Sequence, residues 1–144
     1  MAKLIIYRGL PGTGKSTLAK NNVTDLKKRG LQVEHLEADM FFEDAKGNYN
    51  YDASKIKEAH QWCQEQTKKF LDNGVSVIVS NTFTTAWEML PYFRMLPWED
   101  ILIMVATGNY ENVHGVPDEV IEKMKKRWEP IPGERTIYGD EIAA

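Results

Sequence analysis

Apolar and polar positions follow two alternating patterns along the 144 residues of the chain. Short apolar runs are typical of strands that are buried on both faces of a parallel sheet, and they occupy residues 4–7, 75–79 and 101–106. Residues 32–38 mix apolar and polar positions and predict a second, weaker strand. Apolar residues that recur every three or four positions are typical of amphipathic helices, and they occupy residues 16–29, 52–73, 84–96 and 117–128. This alternation predicts an α/β fold whose parallel sheet, of about four to five strands, carries helices on both faces.

The predicted elements follow one another with short breaks, and no repeat, low-complexity tract or linker divides them. We therefore expect one domain over residues 1–144, with an irregular tail over about 129–144 that is rich in proline and glycine. No apolar run approaches the roughly 18 residues that a membrane-spanning helix needs, and the first apolar run is shorter than a signal-peptide core. Cys63 is the only cysteine, so an intrachain disulfide is excluded. These features predict a cytoplasmic protein without a membrane partner.

The net charge argues against a broad attraction to nucleic acid, but the charge is unevenly distributed. Eighteen basic and 21 acidic residues give a net charge of -3, so any contact with a polynucleotide has to be local. Residues 1–30 nevertheless hold seven basic residues and one acidic residue. This basic surplus surrounds one glycine-rich segment.

The glycine-rich segment fits the P-loop pattern G-x-x-x-x-G-K-[ST], and it lies between the first predicted strand and the first predicted helix, as that pattern requires. Glycines let successive backbone N–H groups turn inward around phosphate oxygens, and the helix N-terminus adds the positive end of its dipole. The residues predicted to bind a nucleoside triphosphate, ATP or GTP, are Gly9, Leu10, Pro11, Gly12, Thr13, Gly14, Lys15, Ser16 and Thr17. We expect Lys15 to act as a catalytic cation on the outer phosphates and the Ser16 hydroxyl to ligate Mg²⁺. The alternative is a glycine-rich turn that only caps the helix.

Asp39 follows the second predicted strand, at the sheet edge where open parallel sheets bind their ligands. A carboxylate at this place can accept the proton of an attacking hydroxyl; the alternative is an Asp that caps nearby backbone N–H groups. Four aromatic residues come next, namely Phe41, Phe42, Tyr49 and Tyr51. Flat side chains can stack an acceptor base or pack beneath a loop. We take Phe42 as the candidate for substrate binding.

Basic residues outside the loop can neutralise the transferred phosphate, although charges on helices more often line solvated faces. The candidates are Arg94, Lys123, Lys125, Lys126 and Arg127. Among them, Arg94 and Arg127 are the predicted catalytic cations.

Five ordered blocks carry a resemblance to a known family, and they are residues 9–16, 38–42, 81–82, 86–89 and 112–116. With these blocks the chain resembles, over most of residues 3–128, the small P-loop kinases of the polynucleotide 5′-hydroxyl kinase type, which occur in phages and in the Nedd-binding-protein-like group. The resemblance implies a P-loop NTPase fold with a lid over about 107–117, and ATP and Mg²⁺ as cofactors. It implies that Asp39 deprotonates a nucleic-acid 5′-hydroxyl, and that Asn81 and Thr82 contact the acceptor or the water shell of Mg²⁺. Trp87, within the fourth block, is expected to be structural.

The chain departs from that family at two places. Relatives usually carry an Asp at the end of the third strand, where this chain has Ser80 and Asn81, so no carboxylate is expected there. Relatives also carry lid arginines where this chain has Glu111 and His114, and an arginine that stabilises the migrating phosphoryl group is worth about a thousandfold or more in rate. We therefore expect slow chemistry or a substitute cation from the basic candidates. His114 is either a weaker cation or a loop residue that bonds backbone.

Three functions stay open at this point. The first is ATP-dependent phosphoryl transfer to the 5′-hydroxyl of a polynucleotide or nucleotide. The second is a kinase of a nucleoside or other small metabolite, which the net charge of -3 favours. The third is a nucleotide-binding module that has lost most catalysis, which the neutral residues at 80–81 and the altered lid favour. The pattern does not indicate an oligomeric state.

Overall fold

The computed structural model describes residues 2–108 and 115–137, which surround one five-stranded sheet. The strands are β1 (Leu4–Arg8), β2 (Val33–Leu36), β3 (Ser76–Asn81), β4 (Ile101–Ala106) and β5 (Arg135–Ile137). The α-helices are α1 (Lys15–Lys28), α2 (Ile56–Asp72), α3 (Ala86–Phe93) and α4 (Asp118–Arg127). Short 3-10 helices cover Ala38–Phe42, Ala53–Lys55 and Trp98–Asp100.

The sheet has the order β2-β3-β1-β4-β5, and every pair of neighbouring strands is parallel. β1 lies at the centre, where Leu4 is opposite Val77 of β3 and Ile101 of β4. The predicted α/β class with a parallel sheet is confirmed. Because all five strands run in the same direction, their carboxyl ends share one edge, and the segments that follow β1, β2, β3 and β4 meet there.

The two faces of the sheet belong to two separate apolar clusters. Successive side chains of a strand point to opposite faces, so Ile5 and Tyr7 of β1 pack on the α1 side, whereas Leu4 and Ile6 share a cluster with α2 and α3. Each fully buried Leu or Ile contributes about 1.5–3 kcal/mol. Burial on both faces explains why β1 and β3 appear in the sequence as continuous apolar runs.

The ends of the helices follow from local sequence. Gly30, with φ +83°, ends α1 in the left-handed conformation that glycine adopts without strain. α3 begins with a capping box, in which the Glu88 carboxylate accepts a 2.9 Å hydrogen bond from the Thr85 N–H and a 2.7 Å bond from the Thr84 hydroxyl. Within the two described ranges, no helix is both long and apolar enough to cross a membrane.

The expectation of an irregular tail is wrong for residues 135–137. This segment forms β5, a parallel edge strand with Arg135 opposite Met104 of β4. β5 has only three residues, and two of them are polar, so it contains no apolar run that could predict a strand. It forms a strand because its backbone pairs with β4.

A buried arginine connects the end of β1 to this tail. The Arg8 side chain is 0% exposed, and its Nε and Nη2 atoms donate to the carbonyl of Phe83 at 2.9 and 2.6 Å. Its Nη1 atom donates at 2.7 Å both to the carbonyl of Glu129 and to the carboxylate of Glu134, and its Cζ lies 3.9 Å from the ring centroid of Trp128. A fully buried guanidinium is tolerated because carbonyls, a carboxylate and an aromatic face replace its water.

Candidate active site

The glycine-rich loop follows β1 at the carboxyl edge of the sheet and leads directly into α1. Gly12 and Gly14 have φ values of +82° and +87°, a region that residues with a Cβ rarely adopt. A Cβ on Gly9 would lie 2.5 Å from Thr13 Oγ1 and 2.9 Å from the carbonyl oxygen of Ala106, so only glycine fits there. Three glycines of this loop are thus required by its conformation and packing: Gly9 and Gly14, which belong to the P-loop pattern, and Gly12, which stands at one of its variable positions.

Hydrogen bonds fix the loop to the strands on either side of it. The Gly9 N–H donates to the Thr82 carbonyl at 3.3 Å, and the Gly108 N–H donates to the Thr13 carbonyl at 3.1 Å. Inside the loop, the Thr13 hydroxyl donates to the Leu10 carbonyl at 2.7 Å. The first turn of α1 has Gly14 as its N-cap, without a capping side chain. Its backbone N–H groups and the positive end of the helix dipole are therefore directed toward an anion in the loop.

Lys15 stands at the start of α1, between two acidic residues. Burial lowers the pKa of its ammonium group from the usual value, while the negative charges of Glu37 and Asp39 act in the opposite direction. The structure therefore brings the loop lysine and the predicted base, Asp39, to the same sheet edge. It adds a third charged group, Glu37, which the sequence analysis did not identify.

Glu37 supplies the carboxylate that was expected to be missing at the end of the third strand. Its Oε2 atom accepts a hydrogen bond from the Ser16 hydroxyl and another, of 2.8 Å, from the Ser80 hydroxyl. β2 and β3 are neighbours, with Leu36 opposite Val79, so the residue after β2 comes to lie beside Ser80. The expectation that no carboxylate is available at this place is wrong, because it comes from the adjacent strand.

The Glu37 carboxylate is the end of a chain of hydrogen bonds that begins at His35. The Nε2 atom of His35 lies 2.6 Å from Ser80 Oγ. Ser80 has one hydroxyl proton, and this proton is donated to Glu37, so the His35 ring donates from Nε2 to Ser80. Burial lowers the pKa of His35, which favours the neutral ring that this arrangement needs.

Asp39 lies in the 3-10 helix that follows β2, and the structure holds it from two directions. The Tyr49 hydroxyl donates a 3.2 Å hydrogen bond to Asp39 Oδ1. One residue earlier, the N–H of Ala38 donates to Asn81 Oδ1 at 2.8 Å, and Asn81 Nδ2 lies 3.8 Å from the sulfur of Cys63. The buried Asn81 side chain therefore fixes the backbone that carries Asp39. The prediction that Asn81 contacts substrate is corrected accordingly: it is a positioning residue.

Phe42 is placed differently from expectation, whereas the substrate contact predicted for Thr82 stays a prediction. Phe42 is 7% exposed and belongs to the apolar core, so it does not offer its ring to a ligand; the exposed rings of the same segment are those of Tyr49 and Tyr51. Thr82 contributes its backbone carbonyl to the loop. Trp87, expected to be structural, is 78% exposed at the start of α3 and is not part of the core.

The two predicted catalytic arginines lie at different places. Arg94 lines a cleft together with the C-terminal half of α2. That half of α2 leads into the amino end of β3, so Arg94 is at the edge of the sheet opposite the phosphate loop, and we correct its assignment as a catalytic cation. Arg127, at the end of α4, donates from Nε to the Thr84 hydroxyl at 3.0 Å. It is therefore at the same edge as the loop, because Thr84 follows β3. The lid residues Glu111, Asn112 and His114 lie outside the described residues.

A cleft of about 880 Å³ lies between the phosphate loop and α4. Its walls are formed by residues 10–13 of the loop, residues 105–108 at the carboxyl end of β4, the α4 side chains Ile121 and Lys125, and Trp128, which follows α4. A mixed apolar and polar cleft of this size beside a phosphate-binding loop can hold the nucleoside of a bound triphosphate.

The oxygen atoms around Ser16 fit Mg²⁺ by their chemistry. Mg²⁺ prefers hydroxyl, carboxylate and water oxygens and usually uses one or two protein ligands together with substrate phosphates. Ser16 Oγ and the Glu37 carboxylate are such a pair, and they are already in contact. No group of three or more His, Cys, Asp or Glu side chains able to hold a metal occurs in the described ranges.

The sequence matches one protein family and is similar to several curated proteins. Residues 4–107 match the family described as AAA domain. Human NEDD4-binding protein 2 is 30% identical over 138 residues, which cover 88% of this chain and 8% of that protein. A probable adenylyl-sulfate kinase of Halalkalibacterium halodurans is 32% identical over 79 residues, which cover 55% of this chain and 38% of that protein. The chain thus spans less than half the length of either relative.

Solved structures show the same fold at low sequence identity. An unliganded sugar kinase from Janibacter sp. superposes with a TM-score of 0.66 at 16% identity, covering 99% of this chain and 90% of that one. Kti12 of Chaetomium thermophilum in complex with ADP-AlF3 gives 0.68 at 13% identity, covering 95% and 89%. A chain of the Pnkp1/Rnl/Hen1 complex gives 0.56 at 20% identity, covering 85% and 38%. These likenesses establish a P-loop kinase-like fold and leave the acceptor open.

Proposed function

The chain belongs to the AAA domain family, and from this premise we propose that it is an ATP-dependent kinase that transfers a phosphoryl group to the 5′-hydroxyl of a polynucleotide or nucleotide. The observation that carries the proposal is the placement of Lys15, Glu37 and Asp39 at one sheet edge, where the negative charges of Glu37 and Asp39 act on the Lys15 ammonium group. The phosphate loop alone would be compatible with a hydrolase, a kinase or a switch. A carboxylate beside the outer phosphates favours a kinase.

The proposed nucleotide site uses the backbone N–H groups of residues 9–17 for the phosphates. Lys15 neutralises the charge on the outer phosphoryl oxygens, and the cleft against α4 receives the nucleoside. Mg²⁺ would be held by Ser16, with Glu37 accepting hydrogen bonds from its water shell, and it would neutralise charge on the bridged phosphates. These roles need only groups that the structure already brings together.

The proposed chemistry centres on Asp39. When the acceptor hydroxyl oxygen forms its bond to the outermost phosphorus, the bond between that phosphorus and the bridging oxygen of the leaving diphosphate breaks, and the hydroxyl proton passes to the Asp39 carboxylate. The Tyr49 hydroxyl donates to Oδ1 of this carboxylate and thereby orients it at the sheet edge where the acceptor would bind. Arg127 lies at the same edge through its bond to Thr84, and we assign it as the substitute for the absent lid arginines.

A nucleic-acid acceptor is supported by the resemblance of the five sequence blocks to the polynucleotide 5′-hydroxyl kinase type. The similarity to human NEDD4-binding protein 2 over 138 residues supports that resemblance, and a chain of the Pnkp1/Rnl/Hen1 RNA repair complex has a similar fold. A small-metabolite acceptor is the second candidate, since a probable adenylyl-sulfate kinase is similar over 79 residues. The third hypothesis, a module with little catalysis, loses part of its basis because Glu37 supplies the carboxylate that was thought to be absent.

Transfer of labelled phosphate from γ-labelled ATP to a panel of acceptors tests the proposal. The panel contains a 5′-hydroxyl oligonucleotide, a nucleoside, adenylyl sulfate and a hexose. Asp39→Asn should keep ATP affinity and lower transfer by about 10²- to 10⁴-fold, whereas Asp25→Asn, an exposed change on α1, should alter neither. Loss of ATP binding together with transfer would identify Asp39 as structural. Robust turnover of adenylyl sulfate or hexose with none of the oligonucleotide would establish the second candidate.

A further inference from the structure

Two tyrosine rings are exposed beside the proposed base. Tyr49 and Tyr51 are 42% and 53% exposed, in the segment that follows the 3-10 helix bearing Asp39. Their ring centroids are 6.3 Å apart, and the ring planes differ by 16°, so they are nearly parallel. We call this pair the tyrosine platform. Exposed aromatic rings offer faces on which a nucleobase can stack.

The tyrosine platform rests on a fixed aromatic base. Phe42 meets both rings edge-on, with centroid distances of 6.1 Å to Tyr49 and 5.2 Å to Tyr51. Phe42 in turn meets Phe41 at 5.5 Å, and Phe41 meets Trp62 of α2 at 6.1 Å. Edge-to-face contacts of this kind contribute about 0.5–1.5 kcal/mol each beyond area burial. The rings are therefore oriented before any ligand arrives.

Backbone hydrogen bonds hold the loop that carries the platform. The Asn50 N–H donates to the Phe42 carbonyl at 2.8 Å, and the Asp44 N–H donates to the Asn48 carbonyl at 2.9 Å. The Asp44 carboxylate accepts from the N–H groups of Lys46 and Asn48, both at 2.9 Å. A preformed loop lowers the conformational entropy that a ligand would otherwise have to remove on binding.

The platform is joined to the reaction centre by one hydrogen bond. The Tyr49 hydroxyl donates to Asp39 Oδ1 at 3.2 Å. Burial and the negative charge of Asp39 raise the pKa of Tyr49 to about 12, so the phenol stays protonated and acts as a donor. A nucleoside whose base stacks on the rings is therefore long enough to bring its own hydroxyl group to the proposed proton acceptor, Asp39.

The charges around the platform indicate which part of the acceptor it receives. Glu43 and Asp44 flank the loop, and the charge of Glu43 acts on the Tyr49 hydroxyl. These acidic side chains repel a negatively charged group on a ligand that stacks on the platform. The 5′-terminal nucleoside of a 5′-hydroxyl polynucleotide has no phosphate on its 5′ side, so it offers a neutral hydroxyl and a planar base at the same end.

We propose that the tyrosine platform stacks the base of the 5′-terminal nucleoside and thereby presents its 5′-hydroxyl to Asp39. This inference rests on the proposed kinase function and adds the specificity determinant of the acceptor site. Every nucleobase has a π-face, so the platform selects for the presence of a terminal base rather than for its identity. A hexose lacks such a planar ring.

The test compares two 5′-hydroxyl oligonucleotides with the wild-type protein, one with a terminal base and one with a terminal abasic tetrahydrofuran residue. Stacking on an aromatic residue predicts that kcat/KM is about 5- to 150-fold lower for the abasic acceptor, mainly through KM. Tyr51→Leu should lower kcat/KM for the base-bearing acceptor and remove the difference between the two, whereas Tyr51→Phe should retain it. Trp98→Leu is the matched control, because Trp98 is also 53% exposed but lies before β4, at the opposite edge.

The outcomes separate this inference from the proposed function. Equal kcat/KM for both oligonucleotides with the wild-type protein would overturn the platform and leave the kinase intact, and that comparison does not depend on the folding of any variant. Phosphorylation of a metabolite with no transfer to either oligonucleotide would overturn the proposed acceptor and the platform together. ATP affinity, measured by calorimetry without acceptor, should be the same in the wild type and in Tyr51→Leu, and its loss in the variant would show that Tyr51 acts on the nucleotide site instead.

Discussion

Ser80 donates a 2.8 Å hydrogen bond to the carboxylate of Glu37, a residue on the neighbouring strand's end. Relatives of the type that the sequence resembles carry a carboxylate on the third strand itself, at the place of Ser80 or Asn81. Here the Ser80 hydroxyl occupies that place and donates a hydrogen bond to the carboxylate of Glu37, the residue that follows β2. The negative charge beside Ser16 is thus retained although its position in the sequence has changed.

Glu37→Gln should lower the affinity for Mg²⁺, and so raise the Mg²⁺ concentration that transfer needs, without unfolding the protein. Glutamine still accepts hydrogen bonds from the Ser16 and Ser80 hydroxyls, but it lacks the charge that orders water around a divalent cation. Loss of such an outer-sphere group typically costs about 10- to 100-fold in metal affinity or activity. We expect the Mg²⁺ concentration for half-maximal transfer to rise by that factor.

The matched control for this prediction is Glu34→Gln, an exposed residue of the same strand. It removes one negative charge from β2 and should leave the Mg²⁺ titration unchanged. If both variants titrate like the wild type, Glu37 serves only to hold Ser80.

Tyr49→Phe should lower kcat while leaving ATP affinity unchanged. The substitution keeps the ring of the tyrosine platform and removes only the hydroxyl that donates to Asp39. A hydrogen bond of this kind contributes about 0.5–1.5 kcal/mol, which corresponds to roughly a 2- to 10-fold fall in kcat. Steady-state rates at saturating oligonucleotide measure the effect. An effect on KM alone would indicate that the hydroxyl contacts the acceptor rather than orienting the carboxylate.

Local patterns predicted the part of the site that local geometry determines. The phosphate loop and α1 could be located because the turn needs glycine at Gly9, Gly12 and Gly14, and each requirement is visible in the sequence. The α/β class followed from the alternation of apolar runs and helical periodicity. These features depend on residues that are close in sequence.

The features that sequence reasoning missed depend on pairing between distant segments. Glu37 stands two residues before Asp39, which was a usable signal, but its contact with Ser80 requires that β2 pair with β3, and a strand order cannot be read from apolar runs. The position of Arg94 depends on the direction of α3, because the C-terminal end of this helix, next to Arg94, lies away from the phosphate loop. Phe42 and Tyr51 are both aromatic residues of one loop segment, so the sequence pattern does not tell which of them is buried. In the structure the Phe42 ring, on the 3-10 helix, is buried and the Tyr51 ring is exposed.

Arg8→Met should destabilise the protein by roughly 3 to 5 kcal/mol, because methionine leaves the Glu134 carboxylate and several carbonyls without their buried donor. Urea unfolding measures the change in free energy. Arg29→Met is the control: Arg29 makes an exposed ion pair with Asp25, and such pairs contribute about 0 to 1 kcal/mol. A similar small change in both variants would mean that water replaces the Arg8 contacts without cost.

His35 should make the stability of the protein sensitive to mild acid. Burial lowers its pKa in the folded protein below the usual value, so the unfolded chain binds a proton first as the pH falls. The contribution of His35 to stability is therefore complete above its unfolded pKa, about 6.5, and is lost as the pH falls through the lower folded pKa. Protonation would place a charge against Ser80, in a ring that is largely removed from water.

The difference between the wild type and His35→Gln isolates this contribution. Glutamine retains a side-chain N–H that can donate to Ser80, but it does not titrate. Urea unfolding at about pH 7.5 and pH 5.5 should show a larger loss of stability for the wild type than for the variant, since both pH values bracket the transition of an unfolded histidine. His60 also has a pKa lowered by burial, so the variant should keep part of the acid sensitivity. Equal losses in the two proteins would show that His35 takes up its proton alike in the folded and unfolded chains over this range, and the hydrogen-bond chain from His35 to Glu37 would then make no pH-dependent contribution to stability.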